Sequence, residues 1–350
     1  MTRGVLSIDL GAVVRNWRLL CERHGGGAVA AVVKADAYGL GAAPVAEALH
    51  RAGCRHFFVA HPAEGEALWD SLGAHGGDTP LIAVLNGFGG EAHPRLTPVL
   101  NSLDDIRAHR GPALLHLDTG MSRLGLAPTE LDALAADPSM LDGIAPLYVM
   151  THLACADEPA HPLNGLQAER FAAACARLPP MPRSLANSSG IFLGPRFGSD
   201  LARPGAALYG INPQPGEPNP MEPVIRLQAP ILQLRDIAAG ESVGYGAAWK
   251  AARPSRIATV AAGYADGLAR ALEGRMAATL HGRKAPLAGR VSMDLMGFDV
   301  SAIPEARPGD LLELLGPGQD ADALAEASGT IGYEVLTRLG RRYRREYLPA

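Results

Sequence analysis

The chain is 350 residues long, 47% hydrophobic and 19% charged, the composition of a folded protein of about two domains. Its net charge of -4 disfavours a nucleic-acid partner, and no run approaches the ~20 apolar residues that span a bilayer. The N-terminus MTRGVLSIDL reaches Asp9 too soon for a signal sequence, so the expected location is the cytoplasm.

Residues 5 to about 210 alternate short apolar runs with helical patterns. VLSI (5–8) precedes a helix that Asp9 can cap, with Leu10, Val13, Trp17 and Leu20 on one face. AVAAVV (28–33) precedes a helical stretch at 43–52, and FFVA (57–60) precedes another at 63–71. LIAVL (81–85), ALLHLD (113–118), LYVMTHL (147–153) and RSLAN (183–187) continue the series. Repeated strand-then-helix units imply parallel strands with right-handed crossovers. About eight units favour a (β/α)8 barrel, and no GxGxxG follows the first strand to support an open dinucleotide-binding sheet.

The pattern changes at QPGEPNPMEP (214–223), which reads as a linker. VIRLQAPILQL, RIATVAAG, MAATLHG, LMGFDV and DLLELLG then follow as closely spaced strands, with a helical pattern at 321–328. The expectation is a barrel over 1–222 and a mainly β domain over 223–350, with the first few residues candidates for pairing with the second domain. Cys21, Cys54, Cys155 and Cys175 lack CxxC spacing and a neighbouring histidine pair, so reduced thiols and no metal site are expected.

Lys34, Lys250 and Lys284 are the only lysines in a chain with 32 lysines plus arginines. Lys34 ends the buried-strand pattern of AVVKADAYG, at the face of a barrel where active sites form. A snorkelling lysine would also fit that position. A desolvated one has a lowered pKa and can form a Schiff base. Other strand ends carry Arg123, His152, Asn187 with Ser188, and Arg203 with Gly205. Ser188 and the backbone N–H groups near Gly205 suit a phosphate. A lysine Schiff base beside a phosphate anchor is how pyridoxal phosphate is held.

With these motifs assembled, the chain resembles the alanine racemases over nearly its whole length. The resemblance runs through AVVKADAYG, LDTGMSRLG, THLACADE, LANSSG, ARPGAALYG, SVGYGAAW, AAGYADG, GRVSMD and TIGYEVL. It implies interconversion of L- and D-alanine with pyridoxal 5'-phosphate, supplying D-alanine for peptidoglycan. Lys34 matches the lysine that bonds the cofactor and removes the Cα proton of D-alanine. Tyr245 matches the second base, acting on L-alanine. Arg123 matches the arginine that positions the cofactor phenolate and substrate carboxylate. His152 matches the histidine that buttresses the tyrosine and the pyridine-side arginine, and Arg203 matches that arginine. Tyr38, Asn187, Ser188, Gly205, Ala206 and Tyr333 match phosphate-site positions. Met293 and Asp294 match the substrate-carboxylate edge, and Tyr264 and Arg290 match the entrance gate.

In the family the second-domain residues reach the site from the other subunit, so the resemblance implies a homodimer with shared active sites. A tyrosine base needs cationic neighbours at neutral pH, and His152 and Arg203 are the candidates. An arginine at the pyridine nitrogen leaves that nitrogen unprotonated and disfavours the related barrel-plus-β decarboxylases, which place a carboxylate there. His116 stands where many members carry a carbamylated lysine that holds the Arg123 position, so this arginine must be held differently. At position 184 a serine replaces the histidine of some relatives, with no consequence expected. The alternatives are a broader amino-acid racemase and a non-catalytic pyridoxal-phosphate-binding barrel. The second domain with Tyr245 argues against the latter.

Overall fold

The computed structural model describes residues 3–73, 79–89 and 93–350. They form two compact units, one of Gly11–Glu222 and one joining Met1–Leu10 to Pro223–Ala350.

The Gly11–Glu222 unit is a parallel barrel. Seven strands pair in chain order: Ala31–Val32, His56–Val59, Leu81–Val84, Thr97–Leu100, Gly111–His116, Ile144–Met150 and Arg183–Ser184. The eighth position is Leu201–Ala202, which pairs in parallel with Ala28–Val29, one residue ahead of the first strand. The ring closes where the Arg203 N–H donates to Ala186 O at 2.8 Å and Ser184 Oγ donates to Leu201 O at 2.7 Å. Parallel strands are covered on both faces, so their sequences are unbroken apolar runs. Phe57 and Phe58 are adjacent, face opposite ways and are both fully buried. Burying each contributes about 1.5–3 kcal/mol. A second layer packs outside the barrel, where Leu103, Ile106, Leu134 and Phe171 meet Leu115 and Val149.

Val5–Asp9 corrects the reading of VLSI as part of the alternating series. It pairs antiparallel with Ile225–Ile237 and parallel with Arg344–Leu348, in the other unit's eight-stranded sheet. Thr97–Leu100 fills the barrel position that VLSI does not.

The second unit is built around Ile225–Ile237, a 13-residue strand. Its first half pairs with Val5–Asp9 and Leu311–Leu315, its second half with Ser255–Val260. Register shifts at Leu227/Gln228 and Ile231/Gln233 mark the change of partner, as β-bulges do. Ala277–Leu280 and Met296–Asp299 extend the sheet, and the helices Ala321–Ser328 and Gly332–Arg338 follow it.

Candidate active site

The barrel unit gathers Lys34, Tyr38, Arg123, His152, Asn187, Ser188, Arg203, Gly205 and Ala206 at the C-terminal ends of its strands or in the loops that follow. Tyr245, Tyr264, Arg290, Met293, Asp294 and Tyr333 belong to the other unit.

Lys34 follows the Ala31–Val32 strand and is half-buried. Its ammonium is destabilised by desolvation and then by the charge of Arg123, with Glu64 opposing, so its pKa falls below the ordinary lysine value. After it the backbone makes a left-handed turn. Ala35, Asp36, Ala37 and Tyr38 have φ of 53°, 55°, 53° and 55°. Left-handed helical residues with a Cβ cost about 1–2 kcal/mol each, so the turn needs outside support. Glu64 supplies it, accepting from Ala35 N at 2.7 Å, Ala60 N at 2.8 Å and His61 N at 3.1 Å. Asp36 Oδ1 accepts from Ala42 N at 2.7 Å, and Tyr209 Oη donates to Val32 O at 3.0 Å. The Tyr38 and Tyr209 rings lie 4.9 Å apart. A Cβ on Gly205 would stand 2.4 Å from Tyr38 Oη, so only glycine lets these two segments meet.

Ser188 Oγ accepts from Gly205 N at 3.0 Å and Ala207 N at 3.3 Å. Asn187 shapes the same turn, accepting from Gly190 N at 2.9 Å and donating to Leu153 O at 3.2 Å. Accepting these two N–H groups leaves the Ser188 hydroxyl its own proton to donate, and it lies with the Tyr38 phenol beside a residue with no side chain. This donor set fits a phosphate.

Arg203 is 4% exposed. Its guanidinium donates to Ser184 Oγ and to Thr151 O, each at 2.5 Å, and burial lowers its pKa to about 10, so it stays charged at neutral pH. Ser184, at a position where no consequence was expected, is therefore one of its anchors. Gln167 is fully buried, and its amide donates to Thr119 Oγ1 at 3.2 Å and His152 O at 2.9 Å while accepting from Ala154 N at 2.9 Å. Thr119 and Thr151 share a 2.8 Å hydrogen bond, completing a buried polar layer under the loops of Arg123 and His152.

Arg123 is exposed on a loop folded over Asp118, whose Oδ1 accepts from Gly120, Met121 and Ser122 N at 2.9, 2.9 and 3.1 Å. His152 differs from its expected role as a cation. Burial and then the charges of Arg203 and Arg123 hold its pKa well below the ordinary histidine value, so its imidazole is neutral at neutral pH.

In the other unit Tyr245 is at the tip of a hairpin, Ser242–Val243 against Trp249–Lys250, and is 73% exposed. Gly246, at φ 68°, passes so close to Arg290 that a Cβ would lie 3.0 Å from Nη1. Arg290 Nε pairs with Glu273 Oε2 at 3.3 Å. Tyr264 N donates to Ser292 O and Ala265 N to Met293 O, both at 3.0 Å. Tyr333 lies on the Gly332–Arg338 helix.

Residues 8–213 match the family model "Alanine racemase, N-terminal domain" and residues 224–347 match "Alanine racemase, C-terminal domain". The chain belongs to the alanine racemase family. It is 56% identical over 358 residues to the alanine racemase of Acidiphilium cryptum, covering 99% of each chain. It is 51% identical to a protein of Mesorhizobium japonicum named alanine racemase, catabolic, covering 98% of this chain and 93% of that one. Among solved structures, the alanine racemase of Bartonella henselae with covalently bound pyridoxal phosphate superposes with a TM-score of 0.91 at 38% identity, covering 99% of this chain and 100% of that one.

Within the alanine racemase family's fold, sequence reasoning missed Glu64, Asn101, Asp118, Thr151, Gln167 and Ser184. Each acts by holding another residue through the fold, and only Asp118, opening a DTG turn, left a local signal.

Proposed function

We propose that this chain is a pyridoxal-5'-phosphate-dependent alanine racemase, interconverting L- and D-alanine by two bases on opposite faces of Cα. The observation that carries the reading is the pairing of Lys34, with its lowered pKa, and the Ser188–Gly205–Ala207 cradle within one barrel mouth. Pyridoxal phosphate, when bound, supplies the electron withdrawal that makes the Cα proton removable. Ser188, Asn187, Tyr38 and the backbone of Gly205 and Ala206 hold its phosphate, and Lys34 holds it covalently. Arg203, fixed by Ser184 and Thr151, faces the pyridine nitrogen as a donor that keeps its proton. Arg123, with the backbone N–H groups of Met293 and Asp294, binds the substrate carboxylate, since neither of those two side chains can donate to it, and Tyr264 and Arg290 form the entrance.

Lys34 moves the proton on one face of Cα and Tyr245 moves it on the other, which inverts the centre. His152, being neutral, orients its neighbours without adding charge, so Arg203 and Arg123 are the cations that favour a tyrosine base. The protein acts as a cytoplasmic homodimer in which Tyr245 of the partner subunit completes the site around Lys34. The exposure of Tyr245 (73%) and Met293 (53%) in the single chain supports this, because large apolar groups at that exposure suit a covered surface. Tyr333, 36% exposed, joins the phosphate site in this reading. No helix among the described residues is long and apolar enough to cross a membrane. The D-alanine serves peptidoglycan. The catabolic name of the Mesorhizobium relative favours alanine breakdown as a second reading of direction. Growth of a deletion strain without added D-alanine separates the two, since only the first requires the supplement.

The test is the purified protein's absorbance for lysine-bound pyridoxal phosphate, followed by deuterium exchange at Cα of L-alanine in heavy water with appearance of D-alanine. Absence of the absorbance, or exchange without inversion, overturns the reading. Parallel assays with serine, lysine and arginine separate an alanine racemase from a broader one.

A further inference from the structure

Outside the barrel, a buried carboxylate joins three segments of the second unit. Asp266 is 4% exposed. Its Oδ2 accepts from Gly263 N at 3.0 Å, its Oδ1 pairs with Arg342 Nε at 3.1 Å, and its backbone O accepts from Gly340 N at 3.1 Å. The same guanidinium reaches Asp294 Oδ1 through Nη1 at 2.7 Å. Arg342 therefore bridges a buried and an exposed carboxylate with two edges of one planar fork, which the point charge of a lysine cannot reproduce. The two bridged segments are also in direct backbone contact. Tyr264 N and Ala265 N donate to Ser292 O and Met293 O, and a Cβ on Gly263 would stand 2.3 Å from both of those oxygens.

We propose that Arg342 and Asp266 are positioning residues that lock the Tyr264 turn and the Met293–Asp294 loop into one rigid edge, and so set how tightly the substrate carboxylate is held. This rests on the reading that Tyr264 and Met293 border the substrate. Neither Arg342 nor Asp266 touches Lys34 or Tyr245 among the described contacts. Removing the guanidinium leaves Asp266 buried without its counter-charge, a strongly unfavourable arrangement that moving the turn relieves. Displacement of the loop by a fraction of an ångström then weakens substrate binding more than proton transfer. Asp266 already has a raised pKa, from burial, with Arg342 opposing the rise.

The experiment compares Arg342→Met, Arg342→Lys and Asp266→Asn with the wild-type holoenzyme. In Arg342→Met, KM for alanine should rise about tenfold while kcat changes by less than about threefold, with cofactor absorbance unchanged. Arg342→Lys should recover part of the KM. Asp266→Asn, which keeps an acceptor for Gly263 N, should fall between. Amide hydrogen exchange without substrate provides an independent reading. Exchange should quicken about tenfold or more in 263–267 and 292–295 and stay unchanged in the barrel. Unchanged KM with lower yield or faster exchange throughout the chain overturns the proposal, because the pair is then only a stability element. Because the exchange needs no turnover, local loosening in a protein that proves not to racemise alanine would fault the functional reading and leave the lock intact. Unchanged exchange at both segments overturns the lock whatever the activity.

Discussion

Asn101 Oδ1 lies 2.8 Å from His116 Nδ1, and Asn101 Nδ2 donates to Leu85 O at 3.0 Å and Val99 O at 3.1 Å. With both amide hydrogens used, the oxygen can only accept, so His116 carries its proton on Nδ1. Burial first, and the Arg203 guanidinium second, push the His116 pKa down to about 4. A neutral imidazole of fixed tautomer therefore stands where many relatives carry a carbamylated lysine.

Two consequences follow for His116. Imidazole holds no stable carbamate, so activity should be the same after bicarbonate is stripped and after it is restored. Activity that tracks bicarbonate would mean that a lysine elsewhere is being carbamylated. The second consequence is a pH dependence. The folded pKa of about 4 lies below the ordinary 6.5, so as pH falls the unfolded chain takes up the proton first. Stability from this group is complete above about pH 6.5 and is lost toward pH 4, by about 2 kcal/mol at pH 5. Against His116→Gln, wild-type urea stability should therefore decline by about that much between pH 7.5 and 5. A difference that does not change with pH would show that His116 is not held neutral.

Lys34→Ala should lose the covalent cofactor absorbance and at least about a thousandfold of racemisation, the scale on which a proton-transfer group acts. Borohydride reduction and peptide mapping should place the label on Lys34. Lys250 and Lys284 are exposed, and Lys284 Nζ is bonded to Gly318 O at 3.1 Å. A label on either would refute the assignment.

Much of this was legible because parallel strands buried on both faces write themselves as apolar runs, and their ends are where Lys34, His152, Asn187 and Arg203 fall. The same property misplaced VLSI, since a buried strand of either sheet reads alike. Thr97–Leu100 escaped notice because it is short and Pro98 reads as a breaker. No local pattern encodes the left-handed turn at Ala35–Tyr38, because non-glycine residues prefer the right-handed helix; Glu64, distant in sequence, holds it. The charge state of His152 depends on burial between two arginines, which spacing does not reveal.

The Gly205 close approach gives a test of the cradle. Gly205→Ala would place a methyl 2.4 Å from Tyr38 Oη and 3.3 Å from Val32 Cβ. Tyr38 is held in a strained turn and Val32 in a strand, so neither yields freely. Cofactor affinity should fall by about tenfold or more, with a smaller change in apoenzyme stability. Alanine tolerated with unchanged cofactor affinity would show that this contact does not shape the phosphate site.

Lys34 belongs to the barrel unit and Tyr245 to the other, and the proposed homodimer pairs them across subunits. A two-fold dimer then holds two sites, each with Lys34 from one chain and Tyr245 from its partner. Homodimers of Lys34→Ala and of Tyr245→Phe should each be severely impaired. In a dimer with one chain of each kind, one site carries both substitutions and the other carries neither. Random assembly makes about half of all dimers mixed, so the unfractionated mixture should recover about a quarter of wild-type activity and the isolated mixed dimers about a half. The variants need to be co-expressed with different tags, so that mixed dimers are isolated and verified. Mixed dimers no more active than their parents would mean that Lys34 and Tyr245 act within one chain or that Tyr245 is not the second base. The inactivity of the Tyr245→Phe homodimer distinguishes these outcomes, because a residue that is not a base should leave it active.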